Sequence, residues 1–262
     1  MIIEGLKPDS HAADTTTPAL QVSHLKKSFD KPAVNDLSLT VRQGELYALL
    51  GPNGAGKTTT LRMVAGLLAA DAGGISVCGI DALAHPIDAK RIMAWVPDEP
   101  MIYDRLTPLE FLEFVAGLWQ IEAREAETRA NDLVDLLGLR PHALERCQGL
   151  SKGMRQKVAL AGALIHRPRL IILDEPLTGL DAGSARQVKA VLRDHVARGV
   201  TVILTTHILE VAERMADRIG VIAHGRLIAE GTLDELRGRT GRSGTNLEDI
   251  FLELVADQAM AA

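Results

Sequence analysis

The chain has 262 residues, 47% of them hydrophobic and 24% charged, enough apolar material for one large buried core or two closely joined ones, and this excludes a disordered chain. A formal net charge of -5 is the wrong sign for a protein that grips nucleic acid by neutralising phosphates, and it disfavours direct adhesion to an anionic lipid surface. Cys78 and Cys147 have no partners at metal-ligand spacing, which argues against a disulfide framework or a zinc site and fits inert thiols in a reducing compartment.

In chain order, residues 1–19 lack the apolar centre of a signal peptide and are expected to form a flexible tail. Short β-like runs follow at 20–25, 37–41, 45–50, 92–96, 170–174, 202–206 and 219–223, with helical patterns between them. That alternation predicts an α/β architecture around a mostly parallel sheet. The runs 170–173 and 202–204 are continuously apolar rather than alternating, as central strands covered on both faces should be. Charges interrupt every long apolar stretch, so no window of about 18 residues could cross a bilayer.

The segment 107–163 offers no strand, and Leu109, Leu112, Val115 and Leu118, then Leu133, Leu136 and Leu137, recur at helical spacing. Pro97, Pro100 and Pro108 mark its entrance, and Thr107 before Pro108 is a good helix start. A helical subdomain over about 98–165 is therefore expected inside the main unit, 20–236. A Gly/Arg/Ser/Thr-rich linker is expected over 237–245, and a last helix over 247–255 closes the C-terminal segment 237–262.

Gly51-Pro52-Asn53-Gly54-Ala55-Gly56-Lys57-Thr58, followed by Thr59, fits G-x-x-x-x-G-K-[ST] between a strand and a helix, the context such a loop requires. Glycines let successive backbone N–H groups turn inward toward phosphate oxygens, and the helix N-terminus adds a favourable field for the anion. Lys57 would bring charge to the outer phosphates and Thr58 a hydroxyl to magnesium. Downstream, the apolar run 170–173 delivers Asp174 and Glu175 at its carboxyl end. Adjacent residues of a strand point oppositely, so the two acids can hold separate tasks. Asp174 suits a magnesium shell and Glu175 suits orienting and deprotonating an attacking water.

Leu150-Ser151-Lys152-Gly153-Met154-Arg155-Gln156 resembles the signature sequence of ABC-type ATPases, and it falls in that family's order between the two motifs above. The resemblance covers about 20–230. It implies a phosphate-loop NTPase core with a mostly parallel sheet, an antiparallel N-terminal β region and an inserted helical subdomain. It further implies ATP hydrolysis with Mg, two nucleotide-binding domains head to tail as a homo- or hetero-dimer, and Ser151 and Gly153 of one reaching the γ-phosphate held by the other. Phe29 stands where the family usually stacks a tyrosine on adenine. Gly179-Leu180-Asp181 resembles the loop that touches the opposite subunit, and His207, after Thr205-Thr206, resembles the switch histidine at the γ-phosphate. As catalytic residues the resemblance thus marks Glu175, His207 and Lys57.

Two departures stand out. Asp98, with Glu99 as the alternative, occupies the place where the family commonly has a glutamine that reaches magnesium. Lys152 and Met154 replace the commoner glycine and glutamine of the signature. The form of the signature, the acid at 98 and the ending Leu247-Glu248-Asp249-Ile250-Phe251-Leu252-Glu253-Leu254 resemble bacterial exporter-type subunits. The resemblance implies a separate integral membrane permease subunit, contacted through the region 98–119 with Met101, Ile102 and Tyr103 at its face. It places the protein in the cytoplasm, peripheral on the inner face of the cell membrane. The competing expectation is an ABC-type ATPase serving DNA repair or translation. One set of motifs, no sustained heptads and an acidic balance speak against that alternative and against nucleic acid as a partner.

Overall fold

The computed structural model describes residues 17–239 and 246–261. It begins with an antiparallel hairpin, β1 (Leu20–Ser28) and β2 (Pro32–Val41), and then β3 (Leu46–Leu50), which runs into helix α1 (Lys57–Val64). β4 (Ala72–Val77) and β5 (Ile80–Asp81) complete a four-stranded sheet in the order β2-β1-β4-β5. Helix α2 (Pro86–Arg91) and strand β6 (Met93–Val96) lead to three helices, α3 (Pro108–Leu118), α4 (Ala123–Leu136) and α5 (Lys152–Leu164). The chain returns through β7 (Leu170–Asp174), α6 (Ala182–Ala197), β8 (Thr201–Thr205), α7 (Leu209–Met215), β9 (Arg218–Ala223) and β10 (Arg226–Gly231). It ends in α8 (Leu233–Arg239) and α9 (Leu247–Ala261). The second sheet has the order β10-β9-β3-β8-β7-β6, parallel except for β10 at its edge.

The six-stranded sheet is buried on both faces, which is why its strands read as unbroken apolar runs. Leu46, Ala48, Ile171 and Leu173 face a core shared with α3, α4 and α5, whereas Tyr47, Leu49, Leu170 and Ile172 face a core closed by the antiparallel sheet. The period of two in each strand thus divides one sheet between two layers. Helix starts follow local chemistry. Thr107 and Glu110 form a reciprocal cap at α3, the Glu110 N–H donating to Thr107 Oγ1 at 3.2 Å and the Thr107 N–H to Glu110 Oε2 at 2.8 Å.

The strand expectations at 45–50, 92–96, 170–174, 202–206 and 219–223 lie within a residue of the observed elements. β2 starts earlier than 37, because Asn35 and Asp36 interrupt its apolar pattern and Asp36 takes φ 60. β4, β5 and β10 escaped the sequence reading: Gly73 and Gly74 dilute the first, and only pairing partners reveal the others. The tail ends sooner than 19, since Ala19 is buried, its N–H donates to Val41 O at 2.9 Å and its carbonyl accepts from Cys78 N at 3.0 Å. Residues 1–16 lie outside the described part. The linker at 237–245 is corrected as well: 237–239 close α8, with Arg237 paired to Glu213 at 3.1 Å, and 240–245 are not described. In α3 the buried stripe is Pro108, Phe111, Leu112 and Ala116, whereas Leu118 stands 67% exposed.

Candidate nucleotide site

β3 is buried along its whole length and delivers the chain to Gly51 beneath β9. A side chain at Gly51 would fall 2.3 Å from the carbonyl oxygen of Ile222, and one at Gly56, where φ is 103, would fall 2.4 Å from that of Ala33. Only glycine fits either position, so the loop is held in a tight curl before α1 begins at Lys57. The Lys57 ammonium lies back across the loop, donating to Gly51 O at 2.7 Å and Pro52 O at 3.1 Å. Burial pulls its pKa below the ordinary lysine value, and the charges of Glu175 and Asp174 oppose that shift.

The acids come from β7, the neighbour but one of β3, with β8 between them. Asp174 is 5% exposed and lies in register with Thr205 of β8. Its two oxygens are separately engaged: Thr58 Oγ1 donates to Oδ2 at 2.9 Å, and Thr205 Oγ1 donates to Oδ1 at 2.5 Å. Glu175 leaves the strand at φ 49, a left-handed conformation that a glutamate adopts only when its surroundings impose it. Its N–H donates to Thr205 Oγ1 at 3.1 Å, and its carboxylate turns toward His207, whose Nδ1 is 2.9 Å from Oε2. The His207 N–H at 3.4 Å and Thr178 Oγ1 at 3.5 Å donate to the same oxygen. The two adjacent acids therefore serve different neighbours.

A cavity of about 440 Å³ opens over these groups, lined by Phe29, Ala33, Asn53, Gly54, Ala55, Gly56, Lys57, Thr58, Thr59, Asp98, Asp174 and Glu175. Phe29 is 61% exposed at its mouth, with Lys27 Nζ 5.7 Å from the ring centroid. Asp98, not Glu99, lines the cavity, and its Oδ1 is buried with no hydrogen-bond partner among the described residues. Hydroxyl and carboxylate oxygens of Thr58, Asp174 and Asp98 are hard donors of the kind Mg²⁺ selects, and the orphaned Oδ1 has ligating capacity to spare. The residues present thus fit a magnesium triphosphate.

Ser151, Gly153 and Asp181 lie elsewhere. Ser151 caps α5, its Oγ accepting from the Met154 N–H at 3.3 Å, and Asp181 caps α6, its Oδ1 accepting from the Ser184 N–H at 2.9 Å. Hydrogen bonds from the Ser184 side chain and then its N–H hold the Asp181 carboxyl below the usual range. A side chain at Gly153 would meet Leu180 Cδ2 at 3.0 Å, so the start of α5 and the loop 179–181 pack as one surface. Residues that sequence reasoning did not select are Thr205 and Thr178. Thr205 enters the sequence pattern only as a neighbour of His207 and Thr178 not at all, and Thr205 gains its contact with Asp174 from the register of β8 beside β7.

A separate apolar groove of about 490 Å³ runs between β6, α3 and α5, lined in part by Trp95, Met101, Ile102, Phe111, Val115 and Trp119. Of the three residues expected at a contact face, Met101 is 91% and Tyr103 57% exposed, whereas Ile102 is 9% exposed and belongs to the core. Among the described residues, no helix is long and apolar enough to cross a membrane.

A parallel sheet that ends in a glycine loop, a lysine, a threonine and paired acids defines a phosphate-loop nucleoside triphosphatase. The family model described as "ABC transporter" matches residues 34–178, and the chain belongs to that family. It is 37% identical to the linearmycin resistance ATP-binding protein LnrL of Bacillus subtilis (strain 168), covering 85% of this chain and 72% of that one. It is 40% identical to the daunorubicin/doxorubicin resistance ATP-binding protein DrrA of Streptomyces peucetius, covering 86% and 68% respectively. A solved ATP-binding subunit of an ABC transporter superposes with a TM-score of 0.84 at 34% identity, covering 90% of this chain and 99% of that one. A dimeric ATP-binding cassette in a post-hydrolysis state with ADP and Pi shares the fold, at a TM-score of 0.75 and 24% identity over 82% of this chain and 98% of the other. The chain is accordingly an ATP-binding, ATP-hydrolysing subunit that powers transport. These relatives lend nothing to the alternative of DNA repair or translation.

Proposed function

We propose that this ATPase powers export through a separate integral membrane permease, working on the inner face of the membrane as a dimer that closes on ATP. The drug-resistance names of its relatives, LnrL and DrrA, support the direction of transport. The observation that carries the catalytic reading is the Glu175–His207 contact at 2.9 Å beside the Thr58–Asp174 contact at 2.9 Å, in one cavity with the phosphate loop.

In this reading the loop N–H groups and Lys57 hold the β- and γ-phosphates, and Phe29 offers its ring face to adenine. Thr58, Asp174 and Asp98 would hold Mg²⁺, whose charge offsets that of the phosphates. Glu175 accepts a proton from the attacking water, His207 orients the carboxylate and reaches toward the γ-phosphate, and Thr205 keeps Asp174 and the Glu175 backbone in position. Ser151, Gly153 and Asp181 are not among the residues lining their own cleft, which fits a second copy or a similar cassette completing the site. The apolar groove with Met101 at its rim would seat a cytoplasmic segment of the permease.

Substituting Glu175→Gln keeps the shape of the side chain and removes its basicity. Turnover should fall by on the order of a hundredfold or more, while ATP now accumulates a stable dimer visible by sedimentation. A variant that hydrolyses ATP at the parent rate refutes the catalytic assignment.

A further inference from the structure

The cavity over the phosphate loop is lined by three carboxylates, Asp98, Asp174 and Glu175, against one ammonium, Lys57. Asp174 has both oxygens engaged by threonines, and Glu175 faces His207, whereas Asp98 Oδ1 is buried with no hydrogen-bond partner among the described residues. A triphosphate entering this cleft adds further negative charge, and a pair of closed copies would exclude much of the water that screens it. Bound Mg²⁺ would offset part of that charge, but an acid at 98 in place of the family's usual glutamine leaves the cleft one charge more negative than the family pattern.

The surface built from α5 and the loop 179–181 carries a charge of the opposite sign. Lys152, at the first position of α5, is exposed, and among the described residues no hydrogen bond or ion pair engages its ammonium. The neighbouring cations are committed: Arg155 pairs with Asp104 at 2.7 Å, and Lys157 is buried and donates to Gln187 Oε1 at 2.9 Å. The Lys152 stem does not splay into solvent. It lies along Gly179, where an added Cβ would come 3.1 Å from its Cδ and 3.4 Å from its Cε, and φ 77 independently requires glycine. Lys152 is thereby laid over the loop that contains Asp181.

We propose that the Lys152 ammonium of one copy enters the cleft of the other and pairs with the polyphosphate of the nucleotide held there, offsetting the charge that the acid at 98 adds to the cleft. This inference rests on the paired-copy reading above and adds a specific nucleotide contact to it. The two departures from the family pattern then belong together: an acid added in the cleft and a base added on the face that meets it.

The test uses the full chain carrying Glu175→Gln, with ATP as the probe and dimer formation followed by sedimentation over a series of salt concentrations. Lys152→Gln should raise the ATP concentration for half-dimerisation by about tenfold and flatten its dependence on salt. Lys152→Arg should behave as the parent. Fluorescent ATP binding to the single copy should be unchanged in both, which also shows that they fold. A Lys152→Gln protein that dimerises at the parent's ATP concentration with the parent's salt dependence would overturn the proposal. If the Lys152 parent never dimerises with ATP, the paired-copy reading itself falls, and this inference with it.

Discussion

The cleft and the surface around Ser151 use the same residue types in opposite ways. In the cleft, polar side chains come from β7, β8, α1 and the loop before α7 and satisfy one another across long sequence separations, as Thr58 and Thr205 do at Asp174 and His207 does at Glu175. On the surface, Ser151 and Asp181 accept from backbone N–H groups in the first turns of the helices they start, three residues further along the chain. A preorganised constellation is expensive to assemble unless reaction chemistry needs it, whereas a helix cap occurs in any protein. The difference teaches that one chain contains a chemically complete cleft and an equally ordered face with no chemistry of its own.

The sharpest way to break this comparison is Ser151→Asp. Aspartate caps a helix as well as serine does, so thermal melting should stay near the parent value. A carboxylate facing a γ-phosphate should nevertheless lower ATPase activity by about a hundredfold or more. Unchanged activity would mean that Ser151 is a cap and nothing else. Thr205→Val attacks the other region. It removes a donor to Asp174 and an acceptor for the Glu175 N–H, so stability should fall by about 1–3 kcal/mol and turnover by about tenfold, with both readable on one preparation. Activity falling alone would show that the cleft tolerates the loss structurally.

The smallest effect concerns acid stability at the groove, outside both regions. His166 stacks on Trp119 with centroids 4.1 Å apart, and its Nε2 lies 3.0 Å from Met93 O. Burial lowers its pKa to about 4, with Arg129 pushing the same way and the Met93 contact opposing. A histidine held neutral in the fold contributes stability at pH values above its ordinary 6.5, and that contribution is lost as pH falls from 6.5 toward about 4. His195, lowered in the same direction by burial, adds to the trend. The melting temperature of His166→Leu should therefore decline less steeply with acidification than that of the parent. Equal slopes in both proteins would remove His166 as a source of acid sensitivity.

Local chemistry alone determined a good deal. A glycine loop before a helix, an apolar strand ending in two acids, and Thr107-Pro108 as a helix start each depend on neighbours a few residues away, so the chain displays them without its fold. Continuous apolarity at 170–173 likewise announced a strand with two covered faces, because a buried face must be apolar whatever covers it. Tertiary structure alone decided the remainder. Strands β4, β5 and β10 exist through their partners, Ile102 is buried while Met101 beside it is exposed, and the Oδ1 of Asp98 lies buried in the cavity with no hydrogen-bond partner among the described residues. Thr205 meets Asp174 solely because β8 lies in register beside β7. Pairing register and burial are sums over residues far apart in the chain, and no short stretch of sequence contains that sum.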